Sequence, residues 1–211
     1  MTAESSTPVE DITAVILAGG KARRMGGKDK GLIELHGRPL LDYIISAVWP
    51  QAGHILINAN RNLDRYREFG YPVLADIMGD FFGPLAGMAS GMQASSTPYI
   101  LTLPCDSPYV PPDLAGRLYR AMAAADAEIS VAHDGERLQP VFALLRCELL
   151  PGLQAYLEGG GRKIDTWYDR QRLAYADFSD LPDTFLNLNS PEDLPVIERL
   201  LAQRQDACPD P

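Results

Sequence analysis

The chain alternates between runs of apolar residues and stretches in which apolar positions recur with the period of a helix. Residues 12–17 form the first apolar, β-branched run and predict a buried strand, whereas residues 40–48 predict an amphipathic helix. The same criteria predict further strands at residues 54–60, 72–75, 99–103, 128–133, 140–145, 173–178 and 185–188, and a short extended piece at 32–35. They predict further helices at residues 63–69, 84–94, 112–124, 148–157 and 163–168, and a last helix capped by Ser190 that ends near residue 203. Strands that alternate with helices predict an α/β fold with a mostly parallel sheet.

Nothing in the pattern divides the chain into two domains. The 211 residues contain no Pro/Gly/Ser-rich linker and no internal repeat. We therefore predict a single domain over residues 12–205, between a disordered N-terminal tail at 1–11 and a C-terminal tail at 206–211. In open α/β sheets ligands bind beyond the carboxyl ends of the strands, so we expect the functional residues in the loops that follow them.

Composition and charge exclude several classes of function. Hydrophobic residues make up 46% of the chain and charged residues 22%, which is typical of a globular protein. A formal net charge of −9 argues against a nucleic-acid partner, because surfaces that bind nucleic acid are basic. No apolar run approaches the roughly 18 residues of a membrane span, and the polar, acidic N-terminus is unlike a secretion signal. The three cysteines show no metal or disulfide spacing, so we predict a cytoplasmic protein without a zinc site.

A glycine-rich, basic loop follows the first predicted strand and departs from the acidic character of the chain. Five of the 19 basic residues lie within residues 21–30. Glycines allow backbone amides to approach a phosphate closely, and basic side chains offset its charge. Asp29 stands where a Walker A loop requires serine or threonine, and the G-x-G-x-x-G dinucleotide motif is not present. The loop therefore predicts a phosphate site of another kind, the alternative being a merely flexible, solvated loop.

The loop resembles the signature L-A-G-G-x-x-x-R-M-G-x-x-K of the nucleotidyltransferases that activate phosphorylated small molecules. It reads Leu17-Ala18-Gly19-Gly20, then Arg24-Met25-Gly26, then Lys30. Within that superfamily the loop and the segments at residues 58–61, 83–88, 104–109, 133–137 and 185–193 resemble the molybdenum cofactor guanylyltransferases, over residues 12–200. The resemblance implies a Rossmann-like three-layer sandwich with a mostly parallel, mixed central sheet, like that of the nucleotide-diphospho-sugar transferases.

The resemblance also implies a reaction and its participants. GMP is transferred from GTP to the terminal phosphate of Mo-molybdopterin, which forms Mo-molybdopterin guanine dinucleotide and releases pyrophosphate. Mg²⁺ is the implied cofactor, and the partners are the two substrates together with molybdoenzyme apoproteins or their chaperones. From the charge and the lack of a long apolar run, we expect no membrane and no nucleic acid as partners.

Candidate site residues follow from the matched positions. Asp106 suits a magnesium ion, because this hard cation prefers carboxylate oxygen, although an aspartate before Ser107-Pro108 can also cap a turn. Lys30, Arg24 and Asp106 are the implied catalytic residues. The implied GTP-binding residues are Leu17, Ala18, Gly19, Gly20, Lys30, Asn58, Asp76, Gly87 and Asp106, and those for molybdopterin are Asn187, Asn189, Arg162 and Lys163.

Each of these roles has a structural alternative. Strand-end asparagine and aspartate side chains often satisfy turns, which applies to Asn58 and Asp76. Gly87 could serve only the close packing of its helix, and Arg162 and Lys163 could simply be solvated. Asn187 and Asn189 occupy alternate positions of a segment predicted to be extended, so we expect both side chains on one side of the sheet.

Three other functions remain open at this point. The cytidylyltransferase that makes the CMP form of the same cofactor shares the phosphate loop. A sugar-1-phosphate nucleotidylyltransferase is disfavoured, because this chain is short and shows no additional domain. A non-catalytic chaperone that binds nucleotide and carries molybdenum cofactor is also disfavoured, because Lys30 and Asp106 are both in place.

Overall fold

The computed structural model describes residues 9–19, 29–77 and 83–207. The strands are β1 (Ile12–Leu17), β2 (Glu34–Leu35), β3 (Arg38–Pro39), β4 (His54–Asn58), β5 (Val73–Leu74), β6 (Tyr99–Pro104), β7 (Ile129–His133), β8 (Leu138–Arg146) and β9 (Leu173–Asp177). The α-helices are α1 (Leu40–Val48), α2 (Leu63–Arg67), α3 (Pro84–Ala94), α4 (Leu114–Ala124), α5 (Leu150–Glu158), α6 (Ile164–Tyr168) and α7 (Leu194–Ala207). In these residues no helix is long and apolar enough to cross a membrane.

Seven strands form one mixed sheet in the order β5-β4-β1-β6-β8-β7-β9. β8 runs antiparallel to both of its neighbours, and the other pairs are parallel. β2 and β3 form a separate small hairpin through the turn at His36 and Gly37, both of which have positive φ. The sheet confirms the predicted mostly parallel, mixed arrangement.

Helices cover both faces of the sheet. Ile12, Ala14 and Ile16 of β1 pack with buried residues of α1 and α4, whereas Val15 faces the buried side of α3, α5 and α6. β1 is apolar on both faces for this reason, as expected of a central strand in a parallel sheet. The predicted three-layer sandwich is therefore confirmed.

A third, smaller apolar cluster joins the hairpin to the C-terminal helix. Leu35 and Leu40 pack there against Leu188, Ile197 and Leu201. α7 is thus held beside the start of α1, and it continues to Ala207, into the segment for which we predicted a tail. The cluster also fixes the position of Leu188, which becomes important for the site.

The predicted strand at residues 185–188 is wrong. A 3₁₀ turn occupies Pro182–Phe185, and the chain after it does not join the sheet. Phe185 and Leu188 are buried by side-chain packing, and the Phe185 ring meets those of Phe142 and Phe178 edge-on, whereas Leu186 is exposed. A pattern of apolar residues indicates that a segment is buried, but not that it pairs with a strand. The prediction was wrong because this segment is packed against the core without joining the sheet.

The last helix also begins differently from the prediction. A 3₁₀ turn at Pro191–Asp193 precedes α7, so Ser190 does not cap an α-helix directly. Asp193 instead accepts hydrogen bonds from the backbone amides of Asn189 and Ser190, at 2.9 and 2.8 Å. This carboxylate satisfies amides that would otherwise be unpaired and fixes the chain around Asn189.

Candidate active site

The carboxyl ends of β5, β4, β1 and β6 meet along one edge of the sheet. The ladder aligns Leu17 with Asn58 on one side and with Pro104 on the other. Hydrogen bonds continue beyond the strand ends, from Ala18 N to Asn58 O (2.7 Å) and from Cys105 N to Leu17 O (3.1 Å). The loops after these strands are therefore held side by side, at the position where α/β sheets bind ligands.

Lys30 and Asp106 form an ion pair at this edge. Lys30 follows the glycine-rich loop, Asp106 follows β6, and Nζ lies 2.7 Å from Oδ2. The two side chains are 19% and 17% exposed, so a ligand can reach them although they are largely shielded from water. Shielding strengthens the interaction of each charge with a phosphate or a cation. The structure thus brings together two of the three predicted catalytic residues.

Cys105 lies beside Asp106 and takes no part in this charge arrangement. Burial, and then the negative charge of Asp106, raise the pKa of its thiol to about 12. Because the thiolate is the nucleophilic form, a thiol with so high a pKa is inert near neutral pH. Cys105 is therefore a packing residue.

Asn189 reaches the same ion pair from the C-terminal part of the chain. Lys30 Nζ donates a hydrogen bond to Asn189 Oδ1 at 2.9 Å, and Leu188 N donates one to Asp106 O at 2.7 Å. The segment around Leu188 is thereby fixed to both members of the pair. Asn189 was expected to face the acceptor substrate, and its position beside Lys30 is compatible with that role.

Asn187 is held by a residue that the sequence interpretation did not single out. Ser107, which is fully buried, donates a hydrogen bond from Oγ to Asn187 Oδ1. This hydrogen bond occupies the amide oxygen of Asn187, so its NH₂ group remains as the hydrogen-bond donor of the side chain. In the sequence, only the place of Ser107 directly after Asp106 indicated that it belongs to the site.

Asp76 lies at the other end of the strand-end row, close to Asn58. Asn58 Nδ2 donates to Asp76 Oδ1 at 2.9 Å, and Asn60 Nδ2 donates to Oδ2 at 2.7 Å. Asn60 Oδ1 also accepts from the Asp76 backbone amide at 2.9 Å, so Asn60 clamps the carboxylate. Each carboxylate oxygen can accept a further hydrogen bond, so Asp76 remains able to bind a ligand. No role was predicted for Asn60 from the sequence. Its place two residues after Asn58 was the only feature of the sequence that connected it with the site.

Two glycines leave room around Asn58. A Cβ on Gly19 would lie 3.2 Å from Asn60 Nδ2, and a Cβ on Gly87 would lie 2.7 Å from Leu17 Cδ2 and would overlap Asn58 Oδ1. Gly87 therefore has the close-packing role that was its structural alternative, and through that packing it defines the space beside Asn58. Whether it also contacts GTP stays a prediction.

We expect Gly87→Ala to destabilise the protein and to weaken GTP binding. Overpacking of this kind costs about 1–3 kcal/mol, because Asn58 and Leu17 must shift to admit the methyl group. Urea denaturation measures the free energy of unfolding, and titration of the variant with GTP measures the binding.

Gly152→Ala is the matched control for this variant. Gly152 lies within α5 and has no atom within 4 Å of an added Cβ, so alanine should leave stability equal or slightly higher. A Gly87→Ala protein with wild-type stability and GTP affinity would contradict the tight packing described above.

Asp29 is a further buried charge that the sequence interpretation did not assign to the site. Its side chain is 1% exposed and forms an ion pair with Arg61 Nη2. Asn62 Nδ2 also donates to Asp29 Oδ2, at 2.7 Å. Asp29 immediately precedes Lys30, so the end of the glycine-rich loop is tied to the loop that follows β4.

Arg162 and Lys163 lie in the connection between α5 and α6. Arg162 Nη1 donates to the carbonyl oxygen of Leu157 at 2.8 Å, which satisfies the end of α5. Lys163 is exposed, and its carbonyl oxygen accepts a hydrogen bond from the Tyr156 hydroxyl at 3.0 Å. Their role toward molybdopterin stays a prediction, as do the roles of Gly20 and Arg24, which lie outside the described residues.

Asp106 is a carboxylate that could hold a divalent cation. In the described ranges, no three or more His, Cys, Asp or Glu side chains come together as a possible metal site. Magnesium is typically held by one or two carboxylates, with substrate phosphates and water as its other ligands. Asp106, which is paired with Lys30, offers one carboxylate of this kind.

Comparison with known proteins identifies close relatives. Residues 14–173 match the family described as "MobA-like NTP transferase domain". A molybdenum cofactor guanylyltransferase of Shewanella sp. (strain MR-4) is 54% identical over 181 residues, which cover 86% of this chain and 92% of that protein. The protein of the same name from Shewanella loihica is 49% identical over 191 residues, covering 90% and 97% respectively.

Solved structures support the fold. Molybdopterin-guanine dinucleotide biosynthesis protein A from Archaeoglobus fulgidus aligns with a TM-score of 0.75 at 20% identity, over 90% of this chain and 99% of that one. A 4-diphosphocytidyl-2C-methyl-D-erythritol synthase from Anaerococcus prevotii aligns with a TM-score of 0.71 at 12% identity, over 93% and 98%. The central sheet and its helices are thus those of the nucleotide-diphospho-sugar transferase fold.

Proposed function

Because the chain belongs to the MobA-like NTP transferase family, we propose that it transfers GMP from GTP to the terminal phosphate of Mo-molybdopterin. The products are Mo-molybdopterin guanine dinucleotide and pyrophosphate. The observation that carries the proposal is the Lys30–Asp106 pair, which lies on the same strand-end row as Asn58 and Asp76. The relatives at about half identity carry the name molybdenum cofactor guanylyltransferase, which agrees with this reaction.

The proposed reaction is an in-line displacement at the α-phosphorus of GTP. An oxygen of the acceptor phosphate forms a bond to that phosphorus, the bond to the bridging oxygen of the β-phosphate breaks, and pyrophosphate leaves. The acceptor phosphate is already ionised, so the reaction needs no general base. Two anions must meet, and the protein contributes chiefly positioning and electrostatic stabilisation.

Lys30 supplies a positive charge to the triphosphate in this proposal. Its ammonium group already donates to one carboxylate oxygen and one amide oxygen, which fixes its position at the carboxyl edge of the sheet. A preorganised donor of this kind stabilises charge that develops in the transition state. The glycine-rich loop would add its backbone amides, and Arg24 a second positive charge.

We propose that Asp106 holds a magnesium ion. When bound, the ion would offset the negative charge of the substrate phosphates. Leu188 N fixes the backbone of Asp106, and Lys30 fixes its carboxylate, so the residue is oriented independently of any ligand.

Guanine recognition is assigned to Asp76 and Asn58. A carboxylate can accept hydrogen bonds from the N1–H and amino groups of guanine, or from ribose hydroxyls, whereas an asparagine can both donate and accept. Asn58 and Asn60 orient Asp76 for this purpose. Asn187 and Asn189, with Arg162 and Lys163, are assigned to molybdopterin, and molybdoenzyme apoproteins or their chaperones would receive the product.

The cytidylyltransferase alternative is disfavoured by the names of the relatives, which specify guanylyl transfer. The chaperone alternative predicts GTP binding without chemistry. A measurement of pyrophosphate in a mixture of GTP, Mg²⁺ and Mo-molybdopterin distinguishes the chaperone from the proposed enzyme. We expect pyrophosphate release that requires GTP, Mg²⁺ and Mo-molybdopterin together. Binding of GTP without pyrophosphate release would support the chaperone and contradict the proposed function.

A further inference from the structure

Asp29 is a buried carboxylate placed one residue before the lysine on which the proposed reaction depends. Its side chain is 1% exposed, and its partners Arg61 and Asn62 come from the loop between β4 and α2. Asn62 adopts the left-handed conformation there, with φ of 49°. The chain thus uses an unusual backbone conformation and an ion pair with a partly exposed arginine to hold this single buried carboxylate.

The ion pair itself is a weak explanation in terms of stability. Removing a carboxylate from water costs free energy, and a buried pair often gains little over apolar side chains of similar size. The better-attested use of such a pair is to fix one geometry among several. The geometry in question is that of the backbone directly before Lys30.

The backbone after Asp29 transmits this fixation to Lys30. A 3₁₀ turn at Lys30–Leu32 begins there, with hydrogen bonds from Leu32 N to Asp29 O and from Ile33 N to Lys30 O, both 3.1 Å. Gly31 packs beneath, where an added Cβ would lie 3.2 Å from the Tyr66 hydroxyl oxygen. Lys30 consequently leaves the backbone at a fixed point, and its Nζ reaches Asp106.

We propose that Asp29 is a positioning residue that sets the location of the Lys30 ammonium group, an inference that rests on the proposed function. Asp29 does not touch the reacting atoms. It acts by tying the end of the phosphate loop to the β4–α2 loop, through Arg61 and Asn62. The same loop carries Asn60 and directly follows Asn58 at the end of β4. Both asparagines hold Asp76, so the loop sets the spacing between the nucleoside side and the phosphate side of the site.

The test is a double-mutant cycle between Asp29→Asn and Lys30→Ala, read as the turnover number at saturating GTP. A small displacement of a catalytic group can cost up to about 10²-fold, so we expect Asp29→Asn alone to lower turnover about 10- to 10²-fold. The KM for GTP should change much less. In the Lys30→Ala background the same substitution should have little further effect, because the group that it positions has been removed.

Two further variants keep the test decisive. Asn62→Gly retains the left-handed backbone while removing the hydrogen bond to Asp29, and we expect a smaller loss of turnover that also disappears in the Lys30→Ala background. It decides the matter if Asp29→Asn does not fold. Asp64→Asn, whose aspartate is 95% exposed and paired with Arg67, is the matched control and should behave as wild type.

The outcomes separate this inference from the proposed function. Wild-type turnover in Asp29→Asn and Asn62→Gly, or an equal loss with and without Lys30, would overturn the positioning role while leaving the reaction intact. A wild-type protein that releases no pyrophosphate from GTP with Mo-molybdopterin would instead overturn the proposed function.

Discussion

Asp106→Asn is expected to lower magnesium-dependent pyrophosphate release by about 10³-fold or more while leaving the fold intact. An amide oxygen is a far weaker ligand for a hard cation than a carboxylate, and loss of the metal's charge stabilisation removes several kcal/mol from catalysis. Asparagine is nearly isosteric with aspartate, and the Asp106 backbone stays bonded to Leu188 N. Turnover over a range of magnesium concentrations, together with circular dichroism, measures both parts of the prediction.

An exposed aspartate provides the control for this variant. Asp165 lies in the first turn of α6 and is exposed, so Asp165→Asn should retain wild-type turnover. If Asp106→Asn retained substantial magnesium-dependent activity, the metal would have to be held elsewhere, and Asp76 would be the next carboxylate to replace.

Lys30→Ala is expected to lower turnover about 10²- to 10³-fold, the usual cost of removing one preorganised charge-stabilising donor. The loss should appear in the turnover number at saturating GTP, because the lysine is assigned to charge that develops in the transition state. Steady-state kinetics with GTP as the varied substrate separates this effect from weaker GTP binding.

Arg65→Ala is a suitable comparison, since that α2 side chain is 65% exposed and pairs with Glu68, directly after the helix. It should leave turnover unchanged. Near-normal turnover of Lys30→Ala at saturating GTP would remove the assigned role of Lys30, and a change confined to KM would make it a binding residue only.

The local pattern of apolar residues was sufficient to predict the bounds of several elements that position the site. β1, α1 and α3 have the bounds predicted from the sequence, because their apolar positions are complete and glycine or proline marks their ends. α4 begins at Leu114, two residues later than predicted, and β8 is longer than predicted. Element ends depend on hydrogen bonding to neighbouring segments, which the pattern along one segment does not contain.

The hydrogen bonds between side chains of the site could not be predicted, because they depend on which strands lie next to each other. The sequence placed Asn58, Asp76 and Asp106 at strand ends, but it could not show that Asn60 clamps Asp76 from 16 residues away. Nor could it show that Ser107 meets Asn187 across 80 residues. These pairs form because β4 lies beside β5 and because Leu188, held by apolar packing, bonds the C-terminal segment to Asp106 after β6. Such contacts arise from tertiary structure and leave little trace in local periodicity.

The most direct test of the central claim is a comparison of GTP, CTP and ATP as donors to Mo-molybdopterin. Equal concentrations of each nucleotide are incubated with the protein, Mg²⁺ and the acceptor, and both pyrophosphate and the mass of the pterin product are measured. We predict that GTP gives pyrophosphate together with a product whose mass has increased by one GMP unit, and that CTP and ATP give far less of either. A preference for CTP, or the absence of a GMP-bearing product with GTP, would contradict the account.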